Sequence, residues 1–162
     1  MSKCHVLTNE HVIRHNKKPE IRYAGEIYRS SLAAQDDRND MALLKVDECP
    51  FQQYASVAER APQVGDKLTS TYYSPGFNFS DRMSKTSGAF IGYKKILVKN
   101  EFVMDSMLID DKNPRVGSSG GGVSSEQGLV SVIFGVATKL SKPKTYAVNY
   151  RALKRFLDEN LI

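Results

Sequence analysis

The stretch Gly117-Ser118-Ser119-Gly120-Gly121-Gly122 decides how the rest of the sequence is interpreted. A nucleophilic serine needs a tight turn that exposes its oxygen and aims backbone N–H groups at a developing oxyanion. The glycines that flank Ser119 permit such a turn, because glycine adopts backbone conformations that other residues avoid. A Gly/Ser-rich hexamer is also typical of a flexible loop, so its meaning depends on what accompanies it in the chain.

A candidate base and a carboxylate to orient it both lie upstream of this stretch. His11 follows the strand-like run Val6-Leu7-Thr8 and opens a turn, a position that is also typical of a surface histidine. Asp40 directly precedes an apolar strand, and a carboxylate at a strand entrance can be partly buried and hold an imidazole in one tautomer. Ser119, His11 and Asp40 are therefore the candidate nucleophile, base and orienting residue.

A metal site is the weaker interpretation of the histidines. His11 and His15 stand four residues apart, as two zinc ligands on one helix face would, but Glu10 precedes the first histidine and does not follow it. Cys4 could join them, yet the sequence offers no second ligand cluster. We expect neither a metal nor a cofactor.

Asp110 and Asp111 have the residue types of a catalytic carboxylate pair. Neighbouring residues on a strand point to opposite faces, which is poor geometry for shared acid and base work. The sequence therefore favours turn or surface charges at these two positions.

The composition is that of a single soluble globular domain of 162 residues, with 41% hydrophobic and 25% charged residues. No apolar run approaches the roughly 18 residues that a membrane helix needs, and the first residues carry no secretory signal pattern. A secreted domain of this size would more often carry a disulfide framework than the two distant cysteines Cys4 and Cys49. We expect a cytoplasmic protein that does not bind membranes.

The net charge follows from 23 basic and 18 acidic residues, which give +5 at pH 7. The basic residues occur in short, dispersed pairs without interleaved aromatic residues, whereas a nucleic-acid platform combines a basic patch with stacking aromatics. We do not expect nucleic-acid binding, and its signature would be an affinity that falls steeply with salt.

Short strand patterns dominate the chain and predict an all-β fold. A hairpin is expected through Ala24-Gly25, and an amphipathic helix is expected at residues 150–161. Many short strands that close on one terminal helix favour β-barrels. Within a single domain 1–162, we assign an N-terminal barrel to 1–52, a C-terminal barrel to 63–149 and the helix to 150–161. The remaining expected strands are 41–46, 64–73, 83–95, 102–109, 129–138 and 145–149.

Three strings resemble the trypsin-like serine peptidases, and specifically their HtrA-type branch. They occur in the family's order of His, Asp and Ser, and weaker similarities extend over nearly the whole chain. The resemblance implies two antiparallel six-stranded barrels of the chymotrypsin kind, with the catalytic residues in the cleft between them. The strings are Leu7-Thr8-Asn9-Glu10-His11-Val12-Ile13, Asn39-Asp40-Met41-Ala42-Leu43-Leu44-Lys45-Val46 and Gly117-Ser118-Ser119-Gly120-Gly121.

The resemblance also implies a role for individual residues. It implies a serine endopeptidase with His11, Asp40 and Ser119 as the triad, and with the amides of Gly117 and Ser119 as the oxyanion hole. The loop that carries Asn113 would help form the specificity pocket. The strand with Phe134, Gly135 and Val136 would bind a protein or peptide substrate by added-strand hydrogen bonds.

The chain also departs from the family pattern. Ser118 stands where digestive members have aspartate and HtrA-type members usually asparagine, and no segment for a PDZ domain follows Ile162. The first barrel is expected to be truncated, because the family supplies further strands upstream of the histidine. An open sheet edge favours self-association, and a catalytically inactive binding or scaffold module is the alternative function.

Overall fold

Two antiparallel sheets and one C-terminal helix make up the protein. The computed structural model describes residues 4–16, 18–74, 82–98, 102–137 and 142–161. In chain order the elements are β1 (His5–Thr8), α1 (Glu10–Ile13), β2 (Glu20–Tyr23), β3 (Glu26–Asp36), β4 (Met41–Val46), β5 (Lys67–Ser74), β6 (Arg82–Val98), β7 (Phe102–Asp111), β8 (Gly122–Ser125), β9 (Gly128–Ala137), β10 (Lys144–Val148) and α2 (Tyr150–Asn160).

The first sheet contains four described strands in the order β1-β4-β3-β2 and is open. The expected hairpin through Ala24-Gly25 is confirmed, since Glu20 pairs with Arg29 along β2 and β3. Both turn residues have positive φ, 52° at Ala24 and 86° at Gly25, as a tight hairpin turn requires. β4 is the buried strand of this sheet, and Asp40 stands immediately before it.

The second sheet closes into a six-stranded barrel in the order β10-β7-β6-β5-β8-β9. Each of these strands contributes at least one buried side chain to a common interior, which excludes water from the barrel axis. The residues of this interior are Leu68, Tyr72, Phe90, Met107, Ile109, Val123, Val130, Ile133 and Ala147.

A second apolar cluster joins the open sheet, the outside of the barrel and α2. Met41 and Leu43 of β4 pack with Val132 of β9 and with Leu153 and Phe156 of α2. Asn149 is the N-cap residue of α2, because its side chain accepts a hydrogen bond from the N–H of Arg151. This shared core fixes the open sheet, which carries Asp40, against the barrel.

These elements confirm the expected fold class, with one closed barrel, one open sheet and a terminal helix. The strand β8 was not expected, because Gly122–Ser125 lacks an alternating pattern and becomes a strand only between β5 and β9. The end of the expected strand 129–138 lies outside the described residues. No helix in the described part of the chain is long and apolar enough to cross a membrane.

Candidate active site

His11 and Asp40 form the best-defined polar contact of the site. The ring Nδ1 of His11 lies 2.6 Å from Oδ2 of Asp40, and the backbone N–H of His11 donates to Oδ1 of Asp40 at 2.8 Å. Asp40 is 8% exposed, while the His11 side chain is about one-third exposed. With Nδ1 facing the carboxylate, Nε2 is the ring nitrogen left for a reacting group.

The backbone of Asp40 adopts a conformation that few residues other than glycine adopt. Its φ of 52° lies in the left-handed region, where aspartate and asparagine are the side chains tolerated best. Asn9 Nδ2 donates to the Asp40 carbonyl oxygen at 2.9 Å, so this carbonyl has a fixed partner. The conformation turns the carboxylate toward α1 at the entrance of β4.

Ser119 lies on the turn that its glycine neighbours predicted. Gly117 and Gly120 have positive φ of 89° and 83°, and Gly121 N–H donates to the Ser118 carbonyl at 2.9 Å to close the turn. A side chain at position 120 would also meet Thr8 Oγ1 at 2.7 Å. The turn therefore requires glycine at position 120 for both its backbone conformation and its packing.

The Ser119 hydroxyl does not bind the histidine in this structure. It donates to the Phe134 carbonyl at 3.3 Å, and the described residues show no hydrogen bond between Ser119 and His11. A distance of 3.3 Å is long for an O–H···O bond, so the contact is weak and a rotation about the Ser119 side chain releases it. The structure therefore brings His11 and Asp40 together, while the hydroxyl of Ser119 binds Phe134.

Several backbone amides of the turn donate no hydrogen bond among the described residues, and those of Gly117 and Ser119 are among them. The N–H groups of Gly117 and Ser119 donate to no backbone oxygen within the described ranges. The Gly120 N–H, in contrast, has two acceptors, Asn9 Oδ1 at 2.7 Å and the Ile133 carbonyl at 3.0 Å. The N–H groups of Gly117 and Ser119 thus differ from that of Gly120, which is held by two acceptors.

One edge of β9 is open beside the serine. β9 pairs with β8 only as far as Val132, whereas on its other side it continues to pair with β10 up to Ala137. Phe134, Gly135 and Val136 thus lie on a strand with one unpaired side, and an added Cβ at Gly135 would contact nothing within 4 Å. An extended peptide can add to such an edge.

The loop before Ser119 is anchored by Asp111, a buried carboxylate that was expected at a turn or at the surface. Asp111 is 2% exposed; its Oδ1 accepts from the Asn113 N–H at 3.0 Å. Its Oδ2 accepts from the Thr86 and Thr145 hydroxyls at 2.5 and 3.2 Å. The expectation for Asp110 was correct, because Asp110 is exposed and pairs with Lys144 at 2.6 Å. Asn113 itself is exposed at the beginning of the loop.

Charges around the site are locally paired. Arg14 binds both carboxylate oxygens of Glu10, and this hydrogen bonding raises the pKa of Arg14. The hydrogen bond from Lys144 lowers the pKa of Asp110.

α1 ends at Ile13, so His15 does not share a helix face with His11. The described residues contain no group of three side chains suited to hold a metal ion.

A groove of about 390 Å³ opens beside Ser119 between the two sheets. Its walls include Val6 of β1, Ile21 of β2, and Tyr72 of β5. β1 and β2 are the two edge strands of the open sheet. The groove therefore connects the serine turn with the first and last strands in the described order of that sheet.

Comparisons with known proteins agree with this architecture. The sequence matches the family described as trypsin-like peptidase domain over residues 2–132. No curated protein matches the sequence. At the identities of the solved structures below, the similarity shows the fold alone.

Three solved structures are similar to the chain. The active form of the Rv3671c protease from M. tuberculosis has a TM-score of 0.81 at 17% identity, and the match covers 99% of this chain and 70% of that chain. The HtrA-type protease AlgW with a decapeptide has a TM-score of 0.76 at 17% identity, with 99% and 49% covered. The MamO protease domain from Magnetospirillum magneticum has a TM-score of 0.75 at 15% identity, with 95% and 82% covered.

Proposed function

This chain belongs to the trypsin-like peptidase family, and we propose that it is a serine endopeptidase with Ser119 as nucleophile, His11 as base and Asp40 as orienting residue. The observation that carries the proposal is the 2.6 Å contact between His11 Nδ1 and Asp40 Oδ2. A base held in one tautomer by a buried carboxylate, next to a serine on a glycine turn, is the arrangement that activates a hydroxyl.

The reaction begins when Ser119 Oγ leaves the Phe134 carbonyl and rotates toward His11. Nε2 of His11 takes the hydroxyl proton as Oγ attacks the peptide carbonyl carbon, and the amides of Gly117 and Ser119 bind the resulting oxyanion. His11 then gives the proton to the leaving amine, and an acyl-enzyme remains. A water then gives a proton to His11 as its oxygen attacks the ester carbonyl carbon, and His11 returns a proton to Ser119 Oγ as the acid product leaves, while Asp40 holds the imidazole in place.

The substrate is a protein or peptide in extended form. The unpaired edge of β9 at Phe134, Gly135 and Val136 supplies backbone partners for such a chain. The exposed Asn113 lies on the loop that leads to Gly117, and we assign it to the specificity pocket. The free space at Gly135 leaves room for a substrate side chain.

Labelling by a fluorophosphonate probe tests the nucleophile directly. Wild type is expected to be labelled, Ser119→Ala is expected to lose labelling, and Ser125→Ala on β8 is expected to keep it. Cleavage of a fluorescent casein should fall about 10⁴-fold or more in Ser119→Ala. Labelling that survives in Ser119→Ala would assign the nucleophile to another residue.

The hydrogen bond from Ser119 to the Phe134 carbonyl favours a second candidate function, an inactive binding or scaffold module of the same fold. A folded wild-type protein that neither reacts with the probe nor cleaves casein would favour this function over the peptidase.

The open sheet supports the proposal that two copies self-associate. β1 and β2 both border the groove, so a strand from a second copy can pair with an edge and cover its apolar wall. Sedimentation of wild type should show a dimer that Ile21→Lys on edge strand β2 disrupts. Val64→Lys, at an exposed position outside the open sheet, should leave the dimer intact. A wild type that stays monomeric at high concentration contradicts this proposal.

A cytoplasmic location is proposed from the sequence alone. It is supported by the scarcity of cysteine, since secreted domains of this size more often carry a disulfide framework. Cell fractionation against periplasmic and membrane markers tests it, and recovery of the protein outside the cytoplasmic fraction contradicts it.

A further inference from the structure

Asn9 is a fully buried side chain that links the two sheets at the active site. It is 0% exposed, and it uses both ends of its amide. Nδ2 donates to the Asp40 carbonyl at 2.9 Å, and Oδ1 accepts from the Gly120 N–H at 2.7 Å, across 111 residues of chain. The two partners, a carbonyl and an N–H, are complementary to the amide in this orientation only.

The helix-capping pattern around Asn9 explains why its side chain is available for this link. Asn9 occupies the N-cap position of α1, where an asparagine ordinarily accepts a hydrogen bond from an amide in the first turn. It makes no such bond, and Asp40 Oδ1 accepts from the His11 N–H in its place. The carboxylate of Asp40 therefore caps α1, and the side-chain oxygen of Asn9 is free to accept from Gly120 of the barrel.

Both ends of the link meet backbone in uncommon conformations. Asp40 has a φ of 52° and Gly120 a φ of 83°. Gly120 directly follows Ser119, and Asp40 is the partner of His11. A single side chain thus connects the residue that orients the base to the turn that presents the nucleophile.

The Asn9 contact is separable from the folding of the serine turn. The Gly120 N–H also donates to the Ile133 carbonyl at 3.0 Å, and the Ile133 N–H donates to the Gly121 carbonyl at 2.8 Å. These two bonds hold the turn to β9 without Asn9. What Asn9 adds is a direct tie between that turn and the open sheet.

We propose that Asn9 is a positioning residue that sets the distance of Ser119 from the His11–Asp40 pair, a role that rests on the peptidase function proposed above. A reacting group displaced by about 1 Å can cost about 10²-fold in rate. Loss of the tie should therefore lower kcat while leaving KM unchanged, because the β9 edge that binds the substrate is untouched.

Two variants of Asn9 separate the two halves of the link. Asn9→Leu has a similar shape and removes both hydrogen bonds, and it should lower kcat and the rate of fluorophosphonate labelling about 10²-fold, with KM within about threefold of wild type. Asn9→Asp keeps an acceptor for Gly120 and loses the donor to Asp40, so its kcat should lie between those of wild type and Asn9→Leu.

Leu153→Ala in α2 serves as a control for lost stability, because Leu153 is buried in the shared core and belongs neither to the proposed triad nor to the Asn9 link. It should lower Tm and keep the kcat of the folded fraction. If Asn9→Leu behaves in the same way, with reduced Tm and wild-type kcat, Asn9 is a structural residue and the proposal is wrong.

Crystal structures of wild type and Asn9→Leu give a readout that does not depend on activity. The separation of Ser119 from His11 should increase by about 1 Å in the variant. An unchanged separation overturns the positioning role. If the separation changes in the variant but wild type does not react with the probe, the positioning role holds and the peptidase function is rejected.

Discussion

Asp40 binds His11 twice, through the backbone N–H at 2.8 Å and through the ring Nδ1 at 2.6 Å. Asp40→Asn should lower kcat about 10⁴-fold, because the amide stabilises the wrong tautomer of the imidazole. Asparagine tolerates the left-handed backbone of this position, so Tm should change little. Kinetics with a peptide substrate, with the exposed Asp37→Asn as control, check this. A loss below tenfold would show that Asp40 does not orient the base.

Substitution of Asp111 should lower the stability of the protein, whereas substitution of the neighbouring Asp110 should not. Asp111→Ala leaves the hydroxyls of the half-buried Thr86 and the buried Thr145 without their acceptor, which should cost about 2 kcal/mol of unfolding free energy. For a chain of this size that corresponds to about 4–8 °C in Tm. Asp110→Asn breaks an exposed pair with Lys144 and should leave Tm unchanged. Thermal melts compare the two variants, and equal shifts would contradict the anchoring role of Asp111.

Gly135 is expected to control which side chains the substrate can carry. Gly135→Val meets no atom of the protein within 4 Å at the added Cβ, so Tm should be close to that of wild type. The new side chain occupies space beside the open edge of β9, so kcat/KM for peptides with a large residue before the cut should fall at least tenfold, since a blocked contact of about 1.4 kcal/mol is tenfold in rate. Peptides with alanine at that position are the internal control, and an equal loss for both peptides would contradict the assignment.

His5 should make the protein less stable in mild acid. Burial, with a smaller contribution from Lys45, lowers the pKa of His5 below 6.5, and its ring Nδ1 is buried without a partner among the described residues. As the pH falls below 6.5, the unfolded chain binds a proton at this site before the folded protein does, and stability is lost. Melts between pH 8 and 5 should show a smaller fall in Tm for His5→Leu than for wild type. The exposed His15→Leu should behave as wild type, and an identical fall in all three would exclude His5 as the cause.

The sequence predicted the parts of the site that depend on local patterns. Gly117 and Gly120, on either side of Ser119, have positive φ, which glycine adopts readily. The hairpin turn at Ala24-Gly25 was predicted from the same preference of glycine. The contact of His11 with Asp40 was implied by the family order of the motifs, and the structure brings the two together. The roles of these residues, and the division into 1–52, 63–149 and 150–161, stay predictions.

What the sequence did not predict depends on contacts between distant residues. Asn9 has the appearance of an ordinary cap residue until its partner Gly120, 111 residues away, is known. Asp111 is buried because Thr86 and Thr145, 25 and 34 residues away, supply its donors. The orientation of the Ser119 hydroxyl toward Phe134 is a rotamer choice, for which sequence has no signal.

The residues of the proposed triad lie on two parts of the fold, one an open sheet and the other a closed barrel. His11 and Asp40 accompany the open sheet, whose hairpin strands β2 and β3 are mostly exposed, whereas Ser119 belongs to a barrel closed around a buried interior. Regions with few buried contacts open at lower free energy than the core. β4, which directly follows Asp40, packs in the shared core, so the exposed β2–β3 hairpin is the part of the open sheet that is expected to open first. Mild denaturant is then expected to alter the groove wall at Ile21 before it separates His11 and Asp40 from the barrel.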